Sequence, residues 1–272
     1  MVFQYILRPH QALRHPWETF FLGMLYPSLA ILLSLWVFDN YIGFTVVALT
    51  TLAAVPFVYH QMRHEERGDL LLKTEQLRLR AHSKVLFVYL FLFLGSVVAF
   101  ALWHMYLPAD LRESVFSIQE ATIQNVNSNA VGQAISASSF FSLIFTHNFK
   151  LLIFCFVFSL FFGAGALYLL TFNASIIGTA VGLYMQERAT GMMAGVFSLG
   201  LLRYLTHGIF EISGFFLAGL AGGILSIALL RQDLLGKKSS VLFQDAFALM
   251  LLAVLFVFLG ALVEIHLTPL FY

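Results

Sequence analysis

Long apolar runs separated by short polar connections constrain this chain more than any other feature. Each run is long enough to cross about 30 Å of hydrocarbon as a helix. Lipid offers backbone amides no hydrogen-bond partner, so spanning segments of this kind must be helical. The predicted spans are Phe20–Phe38, Ile42–Tyr59, Val85–Leu107, Leu151–Phe172, Ala174–Leu202, Gly208–Leu230 and Val241–Ile265. The sequence therefore predicts an all-α, polytopic helical bundle of seven spans.

Composition supports this class and excludes others. Charged residues make up 11% of the 272 residues, whereas a soluble domain carries about 25%. A net charge of +1 gives no basic surface for nucleic acid. The single cysteine, Cys155, excludes a disulfide framework and a cysteine-based zinc site. The lipid bilayer is the partner that the composition indicates.

The fifth predicted span is interrupted by polar residues. Gln186, Glu187, Arg188 and Thr190 stand inside it and are followed by Gly191. It is one long broken helix, or a short helix followed by a re-entrant piece. In the second case the chain crosses the membrane six times.

The distribution of basic residues predicts the orientation. Eleven of the fifteen Lys and Arg residues lie on one side of a seven-span chain. They are Arg8, Arg14, Arg63, Arg67, Lys73, Arg78, Arg80, Lys84, Arg231, Lys237 and Lys238. Because positive residues favour the cytoplasmic side, we expect a multi-pass protein of the cell membrane with a cytoplasmic N-terminus and an external C-terminus.

Two regions are distinguished along the chain. Residues 1–84 form a transmembrane hairpin followed by a basic cytosolic segment, and residues 85–272 form a second transmembrane domain. Within the second, residues 108–149 make a large external segment whose middle is rich in Gln, Asn, Ser and Ala. It is too short for an independent core, so it packs on the outer ends of the helices or docks a partner.

Small residues recur every four positions in the fifth and sixth spans. The first stripe is Ala174, Gly178 and Gly182; the second is Gly214, Ala218, Gly222 and Ser226. Small residues at this spacing allow two helices in a membrane to approach closely. We expect the two stripes to pack against neighbouring helices, within one chain or across a homodimer.

Several motifs in this region resemble the stage II sporulation protein M family. The matching residues are Asn148, the pair Gly163 and Gly165, the pair Asn173 and Gly178, and the run His207-Gly208-Ile209-Phe210-Glu211. Ala174 replaces the glycine that usually follows the second Asn, and Ile212-Ser213-Gly214 stands where the family usually has Leu-Pro-Ala. The resemblance covers roughly residues 85–265. In spore-forming bacteria the family's namesake resembles a membrane anchor that recruits peptidoglycan-degrading partners, a role that does not apply as such to relatives in archaea and non-sporulating bacteria. The resemblance implies no enzymatic activity.

Glu211 is the polar residue with the widest range of roles. A carboxylate inside the membrane binds a cation, relays a proton or clamps a partner helix. Alternatively, if Gly208 begins the helix, Glu211 complements the helix dipole in the first turn. His207, one turn earlier, is placed to hydrogen-bond Glu211. Both alternatives remain open on the sequence alone.

The other polar candidates are assigned structural roles. Asn148 and Asn173 bracket the fourth predicted span, where each is expected to bond exposed backbone at a helix end. A metal site at Glu211 and His207 would need further ligands from His147, Glu264 or His266, so we expect none. No cofactor motif is recognisable.

Two functions are consistent with these features. The first is a non-enzymatic scaffold or anchor for membrane or envelope partners, acting with protein partners or as a homo-oligomer. The second is a channel or ion-coupled transporter, or the membrane subunit of one, that uses Glu211 and His207. Broken helices and membrane-embedded carboxylates occur in such transporters.

Overall fold

A computed structural model describes most of the chain. Backbone is described for residues 9–69, 75–131, 137–162, 166–187, 193–230 and 239–266. Side chains are described for residues 12–61, 84–124, 141–161, 166–186, 208–226, 229 and 240–266. These parts are almost entirely helical, and no strand occurs among them.

Nine α-helices follow one another in the described ranges, with one turn of 3₁₀ helix at Pro16–Glu18. They are α1 Pro9–Arg14, α2 Thr19–Val37, α3 Ile42–Asp69, α4 Glu75–Tyr106, α5 Ala109–Val131, α6 Ala137–Phe162, α7 Ala166–Glu187, α8 Met193–Leu230 and α9 Ser239–His266. All but α1 and α5 are apolar and long enough to cross a membrane, which gives seven spans. The prediction of a polytopic all-α membrane protein with seven spans is confirmed.

The boundary between the fourth and fifth spans differs from our prediction. The fourth span is Phe141–Phe161 and the fifth is Ala166–Gln186, so each begins before its predicted start. We had taken Asn173 as the boundary because it is polar, but it lies inside α7. Its Nδ2 donates to the Leu169 carbonyl at 2.8 Å, which satisfies the side chain without ending the helix.

The sixth span belongs to a helix longer than predicted. Helix α8 has 38 residues and begins at Met193, inside the segment that we had assigned to the fifth span. Glu187 is the last residue of α7, and Arg188 lies outside the described residues. The polar interruption therefore begins at Gln186, the last residue of the fifth span, and does not divide the span.

Exposed aromatic residues lie near the ends of several spans. Trp36 lies in the last turn of the first span and Tyr41 just before the second; they are 83% and 82% exposed, and Tyr106 ends the third span. Trp17 lies at the opposite end of the first span. Trp and Tyr favour the boundary between hydrocarbon and water, so their placement agrees with a membrane-spanning bundle.

One hydrophobic core unites the N-terminal hairpin with the rest of the bundle. It contains Leu22 of α2 and Val58 of α3 together with buried residues of α4, α6, α7, α8 and α9. At its centre the ring of Phe216 stacks on Tyr89 with centroids 5.4 Å apart and meets Phe93 edge-on at 6.1 Å. Helix α4 also runs without a break through residue 84, the boundary that we had drawn between the two regions.

The segment between the third and fourth spans packs on the bundle through α5. Val115, Phe116 and Gln119 are buried, and a Cβ on Gly43 of α3 would lie 2.8 Å from the Val115 carbonyl oxygen. Ser114 and Ser117 on the other face are exposed. We had expected this segment either to pack on the outer ends of the helices or to dock a partner. Helix α5 packs on the helices.

Candidate functional site

Glu211 lies well inside α8 and not at its beginning. The helix starts at Met193, so Gly208 does not cap it and Glu211 is not in the first turn. The stabilising interaction with the helix dipole is confined to the terminal turn, so that interpretation was wrong. A partly buried carboxylate in the middle of a helix requires a tertiary explanation.

Asn148 of α6 supplies the first part of that explanation. Its Nδ2 donates a hydrogen bond to Oε1 of Glu211. Asn148 is buried, and because α6 begins at Ala137 it does not stand at a helix end as we had predicted. A hydrogen bond between side chains thus joins α6 to α8 near the beginning of both spans.

Gly260 of α9 encloses Glu211 from another direction. A Cβ on Gly260 would lie 2.7 Å from Cγ of Glu211 and 3.3 Å from Cβ of Phe210. The absence of a side chain at position 260 therefore makes room for the stem of Glu211. Gly260 was not among the predicted site residues, although a glycine one helical turn before Glu264 in an apolar run is a visible signal.

Glu264 adds a second carboxyl group to this site. It lies one turn beyond Gly260 on α9, is partly buried, and interacts electrostatically with Glu211. Within the described residues, neither carboxyl group forms an ion pair with a basic side chain. Asn148, Glu211, Gly260 and Glu264 therefore form one polar cluster between α6, α8 and α9, which we call the Glu211 cluster.

The remaining residues of the family motif are distributed differently. His207 lies in α8, but its side chain is outside the described residues, as are Gly163 and Gly165. Gly208 is buried, and a Cβ there would meet Ile212 Cδ1 only at 3.8 Å, an ordinary contact. Asn173 bonds its own helix and does not join the Glu211 cluster.

The small-residue stripe of the fifth span packs on a neighbouring helix of the same chain. Gly178 packs on α4, where a Cβ would lie 2.7 Å from the Val97 carbonyl oxygen, and Gly182 packs on His104 of the same helix. The stripe of the fifth span therefore faces the third span.

The stripe of the sixth span is divided between two neighbours. A Cβ on Gly214 would lie 2.9 Å from the Ala253 carbonyl oxygen of α9, and one on Gly222 would overlap the Phe156 carbonyl oxygen of α6. Ala218, between them, is fully buried. Because α8 is enclosed on several sides, its small residues serve two interfaces.

The described side chains were also compared with the requirements of a metal site. Among them, no group of three or more His, Cys, Asp or Glu residues is arranged to hold a metal ion. The carboxyl groups of the Glu211 cluster number two, and their neighbour Asn148 donates from its amide nitrogen.

A second polar cluster, which the sequence did not reveal, lies at the end of α4. His104 Nε2 is 2.9 Å from Glu120 Oε1 of α5, and Gln186 of α7 donates to the His104 carbonyl at 3.2 Å. Gln119 Nε2 donates to Ser175 Oγ of α7 at 3.2 Å. No sequence motif connects these residues, because they belong to three different helices.

These observations define the class of protein: it is a polytopic helical membrane protein whose helices are joined by buried polar side chains and glycine contacts. Residues 86–269 match the stage II sporulation protein M family, which is more than half of the chain. The chain belongs to this family, as its motifs had suggested. Comparison with curated proteins gave no match, and comparison with solved structures gave none.

The matched region contains the Glu211 cluster and α5 through α9. Helices α2 and α3 precede it, and only the first part of α4 lies outside it. The site is therefore built from the family part of the chain, and the hairpin contacts that part through α4, α5, α7 and α8.

Proposed function

We propose that this protein is a non-enzymatic membrane scaffold that anchors protein partners of the membrane or envelope. The observation that carries the proposal is the position of Glu211 between three helices, hydrogen-bonded by Asn148 of α6 and packed against Gly260 of α9. Polar groups that reach a side chain of another helix join helices within a bilayer. This arrangement favours a bundle of fixed geometry, which is what a scaffold requires.

The close glycine contacts support the same function. Gly178 packs on α4, Gly214 on α9 and Gly222 on α6, each at a distance that leaves no room for a side chain. Interfaces of this kind resist sliding, because backbone atoms meet backbone atoms. Membership in the stage II sporulation protein M family agrees with this role, since the family resemblance implies an anchor that recruits partners.

The proposal includes an orientation. The excess of Lys and Arg before the first span and in the connections after the second and sixth spans favours a cytoplasmic N-terminus and an external C-terminus. In this orientation α5 and the Glu211 cluster lie at the outer side. We infer that the outer surface of α5 contacts protein partners or a second copy of the chain, and that no nucleic acid is bound.

Site-specific photo-crosslinking tests the scaffold function. A photoreactive amino acid at Ser117, exposed on α5, is expected to give a discrete protein adduct in native membranes. The matched position is Phe247 of α9, 65% exposed within a span, where crosslinking to lipid is expected instead. Absence of a protein adduct at Ser117 and at other exposed positions of α5 would contradict the proposal.

A second candidate function, ion-coupled transport, is favoured by one observation. Glu211 and Glu264 are two interacting carboxyl groups within predicted spans, and such groups often mark an ion pathway. Ion flux into proteoliposomes that Glu211→Gln abolishes, while Glu113→Gln on exposed α5 does not, would favour transport over scaffolding. Absence of flux in the unmodified protein is the result that the scaffold proposal expects.

A further inference from the structure

Among the side chains of helix α5 that the structure describes, residues 109–124, few apolar ones attach it to the bundle. Only Val115 and Phe116 among its described large apolar residues are fully buried, while Leu111 and Ile118 are exposed. Phe116 meets the ring of His104 at 5.1 Å between centroids. Docking of α5 by the hydrophobic effect therefore depends on a small contact.

Polar contacts make up much of the remaining attachment. The His104 side chain is fully buried, whereas its partner Glu120 is 27% exposed, so the pair stands at the edge of water. The contact between Gln119 and Ser175 lies deeper and is buried. Hydrogen bonds to charged groups are stronger than neutral ones, so the contact between His104 and Glu120 is the principal polar attachment of α5.

Two buried polar atoms beside these contacts are unsatisfied. Nδ1 of His104 and Oε1 of Gln119 have no hydrogen-bond partner within the described part of the chain. Nδ1 faces Gly182, where a Cβ would lie 2.7 Å from it. An unsatisfied buried polar atom opposes burial. Oε1 of Gln119 belongs to α5 and could reach water if α5 moved away, whereas Nδ1 of His104 would stay against α7. The docked state of α5 is therefore opposed by a residue that also helps to hold it, Gln119.

We propose that α5 is a detachable helix, held on the bundle by the contact between His104 and Glu120, and that its detachment uncovers a polar surface formed by Gly43, His104 and Ser175. This surface belongs to three spans, α3, α4 and α7. Detachment is a local opening that leaves the spans in place, since the glycine contacts of α4 with α2 and α7 do not include α5.

Cysteine accessibility in the full chain tests this proposal. The reporter is Val115→Cys, which is buried when α5 is docked, and the matched reporter is Ser117→Cys, which is exposed. Cys155, buried in the fourth span, reports any general unfolding. Each protein is held in lipid nanodiscs, and the rate of reaction with a water-soluble maleimide is measured.

Glu120→Ala is expected to raise the labelling rate at position 115 by about tenfold, because labelling follows the population of the open state. The rates at position 117 and at Cys155 should not change. Glu113→Ala, which removes an exposed carboxylate from the same helix, is the control and should leave all three rates unchanged.

Two results would overturn the proposal. An unchanged rate at position 115 in Glu120→Ala would show that the contact between His104 and Glu120 does not hold α5. A simultaneous rise at Cys155 would show that α5 opens only with the bundle. His104→Phe provides a second variant, for which the same selective rise at position 115 is expected.

Discussion

Gly23 of α2 and Gly95 of α4 face each other where the two helices cross. A Cβ on Gly95 would lie 3.0 Å from Cα of Gly23, and a Cβ on either glycine would overlap a backbone carbonyl of the opposite helix. Ser96, beside Gly95, donates to the Gly23 carbonyl at 3.1 Å. The N-terminal hairpin is thus joined to the family region by direct backbone contact.

Replacement of either glycine should therefore destabilise the protein. We expect Gly23→Ala or Gly95→Ala to lower the free energy of unfolding by about 1–3 kcal/mol, the usual cost of overpacking. The measurement is thermal unfolding in detergent. Leu32→Ala, on the exposed face of α2, is the control and should change stability far less. Equal stability of all three variants would contradict the close crossing.

Gly222 and Gly208 of α8 offer a matched comparison within one helix. A Cβ at position 222 would overlap the α6 backbone, whereas one at position 208 meets only the end of the Ile212 side chain at 3.8 Å. We expect Gly222→Ala to destabilise and Gly208→Ala to stabilise by up to about 1 kcal/mol, since Ala favours helix.

Gly222→Leu makes the test more severe. A bulky side chain against Phe156 and Leu160 should lower both the stability and the yield of folded protein in detergent. If Gly222→Leu unfolds at the same temperature as the unmodified protein, α8 and α6 do not pack closely at this point.

The hydrogen bond from Asn148 to Glu211 predicts energetic coupling between α6 and α8. A double-mutant cycle with Asn148→Ala and Glu211→Ala should give a coupling energy of about 0.6 kcal/mol, the average for polar contacts within membranes, and no more than about 1.7 kcal/mol. Glu211→Gln should retain most of the stability, because its amide oxygen still accepts the hydrogen bond. Strictly additive losses in the cycle would argue against the contact.

The contact between Gly260 and Glu211 predicts a compensating pair of substitutions. Gly260→Ala should destabilise the protein, since the new methyl group would meet Cγ of Glu211 at 2.7 Å. In a Glu211→Ala background the same change should be better tolerated, because Cγ is gone. Thermal unfolding of the four proteins measures the difference, and an equal cost of Gly260→Ala in both backgrounds would refute the packing.

The apolar runs were sufficient to predict the number and type of the spans. Whether a segment can cross the membrane depends on its own length and apolar composition. Both properties can be read from the sequence of that segment alone. The same reasoning misplaced the boundary at Asn173, because a single polar side chain can bond its own helix at Leu169 and continue in it.

The Glu211 cluster required knowledge of the tertiary structure. The motif around Glu211 identified an important residue, but its contacts come from Asn148 and Gly260, which lie far away along the chain. The contact of His104 with Glu120 had no motif at all. Pair contacts between helices depend on rotation and depth, which the order of residues along one helix does not reveal.

The continuity of α4 affects how this protein can be shortened. A chain cut before residue 84 would retain all of the matched residues 86–269 but would lose α2, and the peptide carbonyl of Leu92 would then face acyl chains. Acyl chains would pack poorly on this surface of α4, because they do not match its shape as the glycine-containing face of α2 does. Functional studies of the family region in this protein therefore need the preceding pair of helices as part of the same polypeptide.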